Sequence, residues 1–208
     1  MPASSKTEEV VESGRRLAPE DRRNHLLGVA LETFAERGYS DTDLNAIADA
    51  AGVQRTLLYH YFGGGKEDVY MAVLEHAWAE LAAELTVDPE RGRQLMPANL
   101  QRYLDLVEAE DPRVIVVRQS RRLDLARVAE TTRLASAAMA RGMAANQLGL
   151  DKPPEDLLAV LQAYLGFYEI LLDEWMAGRL TRDQLETVMI ETLPGVAAAA
   201  QRAAQTGR

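Results

Sequence analysis

The sequence predicts an all-α protein, and three observations carry that reading. After Leu17 the apolar residues recur almost throughout at the 3.6-residue period of a helix. The β-branched alternation that a half-buried sheet requires is sustained nowhere. The one strand-like run, 114–117 (VIVV), is followed by RQSRRLDLARV, which returns to helical spacing, so the run reads as buried helix. The expected organisation is a flexible tail over residues 1–18, a three-helix unit over 19–65 and a larger helical unit over 66–208.

Pro19, Glu20 and Asp21 mark the first helix start, with proline in the first turn and acids at the positive end of the dipole. Leu26, Leu27, Ala30, Leu31, Phe34 and Ala35 then form one stripe that ends at Gly38. Thr42 is expected to cap a second helix with Leu44, Ile47, Ala48 and Ala51 on one face, before Gly52 allows a tight turn. Asp41, Asp43 and Asn45 also match the first ligand positions of a calcium loop. That reading fails at Ala46, where the loop needs glycine, and at Gly52, where it needs a bidentate glutamate, so no metal is expected.

Residues 54–62 (QRTLLYHYF) form a third helix, with Leu58 and Phe62 inward and Arg55, Thr56, Tyr59 and His60 outward. Two short helices joined at a glycine turn and braced by a longer one make a helix-turn-helix, whose second helix can enter the major groove of DNA. The glycine run after it, 59–68 (YHYFGGGKED), is not a nucleotide loop. A P-loop needs glycine where His60 stands and Ser or Thr where Glu67 stands.

A fourth helix is expected from Lys66 to about Leu85, apolar on two sides and therefore sandwiched between partners. Pro89 and Pro97 punctuate the chain, and further helices follow near 98–110, 112–124, 127–147, 154–177 and 181–205. The stripe Leu157, Leu161, Tyr164, Leu165, Tyr168, Leu171, Leu172, Trp175 is long for a small domain's own core. With Leu185 and Met189 on the last helix it predicts a four-helix interface between two copies, its contacts Leu157, Leu161, Leu172, Trp175, Leu185 and Met189. Pro194 should bend or interrupt the last helix.

Composition limits the function classes. The 208 residues are 47% hydrophobic and 26% charged, enough for a sizeable core. No apolar run approaches the ~18 residues of a membrane span, and the polar, acidic start has no export signal, so a cytoplasmic protein is expected. The absence of cysteine excludes disulfides, thiolate nucleophiles and Cys-ligated zinc. A net charge of −9 opposes nucleic-acid binding, and residues 1–66 hold eight Lys or Arg against ten Asp or Glu. Screening over ~8 Å makes local placement, and not the sum, decisive.

The segment from Asn24 to Lys66 resembles the TetR family of one-component transcriptional repressors. The likeness lies in Leu26-Leu27-x-x-Ala30-Leu31-x-x-Phe34-x-x-x-Gly38, Thr42, Ile47-Ala48-x-x-Ala51-Gly52-Val53, Leu58-Tyr59-x-x-Phe62 and Lys66-Glu67. Typical members place the lysine three residues after the phenylalanine, whereas here it stands four after. Gln54 stands where many relatives have serine. The resemblance implies an amino-terminal three-helix DNA-binding domain followed by a helical ligand-binding and dimerisation domain. A homodimer on a palindromic double-stranded operator, released by a small-molecule effector, is then expected, with no cofactor and no membrane.

Carried over onto matching positions, Gln54, Arg55 and Thr56 would face base edges, an arginine suiting guanine, a glutamine adenine and a threonine methyl thymine. Thr42, Tyr59, His60, Tyr61 and Lys66 would hold phosphates. Tyr61, one turn after Leu57, also reads as core. His76 reads as a structural histidine, and Arg15 and Arg16 as a solvated tail or a minor-groove arm. An apolar effector cavity would draw on Trp78, Tyr103, Met139, Met143, Tyr164, Phe167 and Tyr168, which read equally as core.

Two rivals remain open. A helical enzyme would need a carboxylate-bridged metal pair or a nucleophile with a base. The residues three before His25, His60 and His76 are Arg22, Leu57 and Val73, so no Glu-x-x-His exists and no catalytic residue is expected. A dimeric small-ligand-binding module without DNA would suit the acidic charge.

Overall fold

The computed structural model describes residues 18–85 and 92–206, and every regular element among them is an α-helix. In order these are α1 (Pro19–Asp41), α2 (Leu44–Ala50), α3 (Arg55–Phe62), α4 (Lys66–Leu85), α5 (Gly92–Glu108), α6 (Pro112–Ser120), α7 (Ala126–Leu148), α8 (Glu155–Met176) and α9 (Arg182–Thr206). Arg15, Arg16 and Pro89 lie outside the described residues. The run 114–117 sits within α6, where Val114, Val116 and Val117 are buried.

α1 opens on Pro19 with Glu20 and Asp21 in its first turn, and its helical path breaks at Gly38 (φ 75, ψ 167). The expected stripe is the one that is buried: Leu26, Leu27, Ala30, Leu31 and Phe34. It joins a core cluster that continues through α2, α3 and α4 into α6 and α7, including Ile47, Leu58, Tyr70, Leu74, Val116 and Val128. The head and the base of the larger unit thus share one core.

Tyr70 is its centre. The ring is fully buried, edge-on to Phe34 and to Tyr39 with centroids 4.9 Å away in each case. Such geometry sets the positive ring edge against the negative face of its neighbour. Its hydroxyl donates to the Val116 carbonyl at 3.3 Å, and burial raises the pKa of the phenol well above its ordinary value. The Gln119 amide donates to the Ala35 carbonyl at 3.3 Å. Through these groups α6 is tied to both α1 and α4.

Two smaller clusters hold the rest. α7, α8 and α9 enclose Ala140, Ala144, Leu157, Leu161, Tyr164, Leu165 and Leu193, while α5, α8 and α9 enclose Leu104, Leu172, Leu185 and Met189. The Tyr164 and Tyr168 hydroxyls both donate to the Met189 carbonyl, at 3.1 and 2.8 Å, bolting α8 to α9. α9 begins with a reciprocal capping box, Gln184 N to Thr181 Oγ1 at 3.2 Å and Thr181 N to Gln184 Oε1 at 2.9 Å. Next to it Arg182 reaches Asp105, Glu108 and Glu186 at 2.6, 2.6 and 2.9 Å, clamping α9 to α5.

Three expectations are corrected here. The proposed dimer contacts Leu157, Leu161, Leu172, Leu185 and Met189 are 0–3% exposed within one chain, and Trp175 packs half-buried against the same chain's core. α5 and α7 cover that stripe, so it is spent before a second copy arrives. The face of α8 left in solvent is instead Val160, Ala163, Phe167 and Ile170, spaced by 3, 4 and 3 residues, with Ile170 62% exposed. α9 is continuous through Pro194, and α5 already begins at Gly92, ahead of Pro97.

Candidate nucleic-acid interface

α2 is short because both its ends are set by side chain and glycine. Asp43, not Thr42, is the N-cap: its carboxylate accepts from Ala46 N at 2.8 Å, and that bond holds its pKa below the ordinary carboxylate value. At the other end Ala51 and Gly52 turn the chain, with Gly52 at φ +65, where an L side chain is strained. α3 then follows at once. Its inner residue Leu58 is fully buried, and Leu57 and Phe62 pack partly against the head core.

That anchoring leaves one face of α3 in solvent. Gln54, Arg55, Thr56, Tyr59 and His60 are all exposed, and the Gln54 side chain makes no capping bond, so its amide is free. Eight residues span about 12 Å, close to the width of the major groove. The Arg55 guanidinium lies 5.2 Å from the Tyr59 ring centroid and donates to its hydroxyl. Reaching a base costs Arg55 this exposed cation–π contact, about 0.5–1 kcal/mol. Tyr61 is half-buried against the head core, edge-on to His60 at 5.1 Å.

Two residues expected at phosphates have other partners within the chain. Thr42 is 1% exposed, and its hydroxyl donates to the Gly38 carbonyl at 2.7 Å, bracing the break at Gly38 near the end of α1. Lys66 donates to the carbonyls of Tyr39 at 2.9 Å and Ser40 at 3.3 Å, its ammonium 4.4 Å from the Tyr39 ring centroid. These are carbonyls at the end of α1, so the lysine is a strut from the start of α4 back to the head. The preceding turn is fixed by Gly63 at φ +90 and by Asp68, whose carboxylate accepts from Gly65 N at 3.0 Å.

Arg23 is a cation that sequence reasoning missed. It is exposed on the first turns of α1, with its guanidinium 5.5 Å from the Phe62 ring centroid, beside the end of α3. Its one signal was its position one turn before Leu27, where the line of the buried stripe runs out toward the start of α1. On the far side of the turn, Arg127 of α7 pairs with Asp68 at 2.7 Å and Glu67 at 3.7 Å, and the bond from its side chain lowers the Asp68 pKa. His76 lies 3.3 Å from Glu80, one turn on along α4.

The seven residues expected around an effector fall among the core clusters and on the surface. Tyr164 and Tyr168 use their hydroxyls on α9, Met143 packs among α7, α8 and α9, and Met139 and Phe167 are exposed. Trp78 and Tyr103 pack against the main core, where Trp78 Nε1 is buried without a partner. Aromatic and methionine residues at helical spacing have here become core and surface. A cavity of about 510 Å³ lies elsewhere, between α1 and the α5–α6 turn, and none of the seven lines it.

Residues 26–73 match the family described as bacterial regulatory proteins, tetR family. The chain is 36% identical over 101 residues to the HTH-type transcriptional activator FasR of Mycolicibacterium smegmatis, covering 46% of this chain and 44% of that protein. It is 39% identical over 66 residues to the HTH-type transcriptional regulator BetI of Brucella abortus, covering 32% and 33%. The chain thus spans less than half the length of these curated relatives. A crystal structure of a tetR-family transcriptional regulator from Streptomyces coelicolor superposes with a TM-score of 0.72 at 27% identity, covering 88% of this chain and 83% of that one.

Proposed function

We propose, on the match of residues 26–73 to the family described as bacterial regulatory proteins, tetR family, that the chain is a sequence-specific DNA-binding transcriptional regulator that acts as a cytoplasmic homodimer. The observation that carries this is the exposed face of α3, on which Gln54, Arg55, Thr56, Tyr59 and His60 stand together while Leu58 fixes the helix from behind. Arg55 donates to guanine O6 and N7, Gln54 pairs with adenine, and the Thr56 methyl meets thymine. Tyr59, His60 and Arg23 take phosphates, which set register without reading sequence.

The homodimer forms through the solvent-facing side of α8, Val160, Ala163, Phe167 and Ile170, which places two heads on the half-sites of a palindrome, about 34 Å apart. An effector acts as a releasing ligand. Its leverage is the shared core of α1, α4 and α6, and a hundredfold change in operator affinity needs only ~2.7 kcal/mol of coupling. No catalytic step enters this reading.

The test is fluorescence anisotropy with DNA from the protein's own upstream region, titrated with salt against unrelated competitor. Saturable binding that survives competitor and weakens linearly in log salt supports the proposal. Equal affinity for operator and competitor would overturn it. The net charge of −9 favours the rival, a dimeric ligand-binding module that leaves DNA alone, and that module gives no binding in the same assay.

A further inference from the structure

Base reading by α3 rests on a single guanidinium, since Arg55 is the one Lys or Arg in the helix. An arginine free in solvent gives up much rotamer freedom when it docks, and that loss weakens its reading. Arg55 is not free. Its guanidinium lies 5.2 Å from the centroid of the Tyr59 ring, one turn on along the same exposed face, and its Nη2 donates to the Tyr59 hydroxyl.

The shape of the guanidinium fork decides what that bond permits. Nη2 carries two hydrogens and belongs to both edges that can bind in parallel, the end-on edge with Nη1 and the side-on edge with Nε. Whichever hydrogen Tyr59 takes, one complete edge remains for guanine O6 and N7. The hydroxyl is also only half used. A phenol accepts and donates at once, so while it accepts from Arg55 its own hydrogen is available to a phosphate oxygen. A bond received from a cation polarises the O–H outward and strengthens that second bond. Reading a base takes the guanidinium off the ring face but leaves it within reach of the hydroxyl, which stands at the outer tip of the ring.

We propose that Tyr59 is a positioning residue for Arg55, its hydroxyl linking the phosphate that sets register to the arginine that reads the base. The inference rests on the DNA-binding reading of α3, and it adds a coupling between two contacts that would otherwise act separately. Tyr59 then determines specificity without touching a base. The exposure of the pair bounds the effect, because an exposed contact of this kind is equivalent to about two- to fivefold in binding.

The experiment is fluorescence anisotropy on the upstream-region duplex and its single-base variants, with the parent, Arg55→Ala, Tyr59→Phe and the double variant, each checked for fold by circular dichroism. Arg55→Ala identifies the base pair that the arginine reads, by the preference it relaxes. At that base pair Tyr59→Phe, which keeps the ring and removes the hydroxyl, should lower the preference about two- to fivefold, while preferences elsewhere and the salt slope stay as in the parent. The double variant should show the preference of Arg55→Ala alone, as two groups acting as one unit do. Tyr59→Leu, which removes ring and hydroxyl together, should fall at least as far as Tyr59→Phe. A Tyr59→Phe variant that weakens binding to every duplex alike and keeps its preference would make Tyr59 a phosphate contact alone and overturn the coupling. A preference that rises would mean that the phenol competes with the base for Arg55, which overturns it as well. If Arg55→Ala relaxes no base pair, Arg55 reads none and the inference falls, whereas a parent with equal affinity for this duplex and unrelated competitor fails the DNA-binding reading itself, and this inference with it, before any variant is compared.

Discussion

Replacing Lys66 by methionine removes an ammonium and keeps the length of its stem, so it asks what that charge holds. In the structure it holds the end of α1, through the Tyr39 carbonyl at 2.9 Å, the Ser40 carbonyl at 3.3 Å and the Tyr39 ring at 4.4 Å. A hydrogen bond from a charged donor contributes about 1.5–3 kcal/mol, toward the low end where water reaches it. The longer bond is exposed and adds roughly 0.5 kcal/mol, and an exposed cation–π contact adds roughly as much again. The loss is therefore about 2–3 kcal/mol. For a chain of this size that lowers the melting temperature by about 5–10 °C.

Denaturation followed by circular dichroism, without DNA, reads this directly. The slope of log operator affinity against log salt reads the competing role. We expect stability to fall while the slope stays as in the parent. A variant that keeps its stability within ~0.5 kcal/mol but flattens the slope by about 0.9 would refute the strut and restore Lys66 as a phosphate contact.

Arg55→Ala should cost roughly 1–3 kcal/mol on the operator and relax preference at one base pair, while Arg23→Ala should weaken binding to all DNA alike; competition with single-base operator variants separates the two. Phe167→Glu with Ile170→Glu should give a folded monomer in sedimentation, whereas Leu161→Ala should lower stability by about 2–5 kcal/mol without first splitting a dimer. If the glutamate pair leaves the association state unaltered, the α8 face is not the interface. Asp111 is held below its ordinary pKa of 3.8, first by the bond from the Arg113 side chain. Its contribution is complete above that ordinary value and is lost as pH falls through its folded pKa, so stability should drop below about pH 4, and Asp111→Asn should flatten that limb of the pH profile.

What was legible in the sequence was what local signals encode. Proline with two acids gave the start of α1, the glycine of φ +65 gave the turn before α3, and the exposure of 54–56 and 59–60 followed from turning Leu58 and Phe62 inward. Other groups depended on distant partners. Thr42 has the side chain of a cap, yet the neighbouring carboxylate of Asp43 reaches Ala46 N, which left the threonine hydroxyl for Gly38. Lys66 meets carbonyls 26 and 27 residues earlier in the chain. The stripe of α8 was read correctly as apolar, but periodicity does not say whether α7 or a second copy covers it. The cavity escaped notice because its walls come from α1, α6 and α8, three segments that share no motif.

The core that joins α1 to α4 and α6 bears on how such a protein can be rebuilt. A cut after Gly65 looks like the natural seam for transplanting a reading head onto another effector body. It would sever the strut of Lys66, the edge-on packing of Tyr70 between Phe34 and Tyr39, and the Gln119 bond to Ala35. A graft that kept its grip would have to carry the α6 surface of Val114, Val116, Val117 and Gln119 along with the head. The exchangeable part is then a discontinuous module, residues from α1 to α4 together with one face of α6, and chimeras joined at any single point in the chain inherit a mismatched seam.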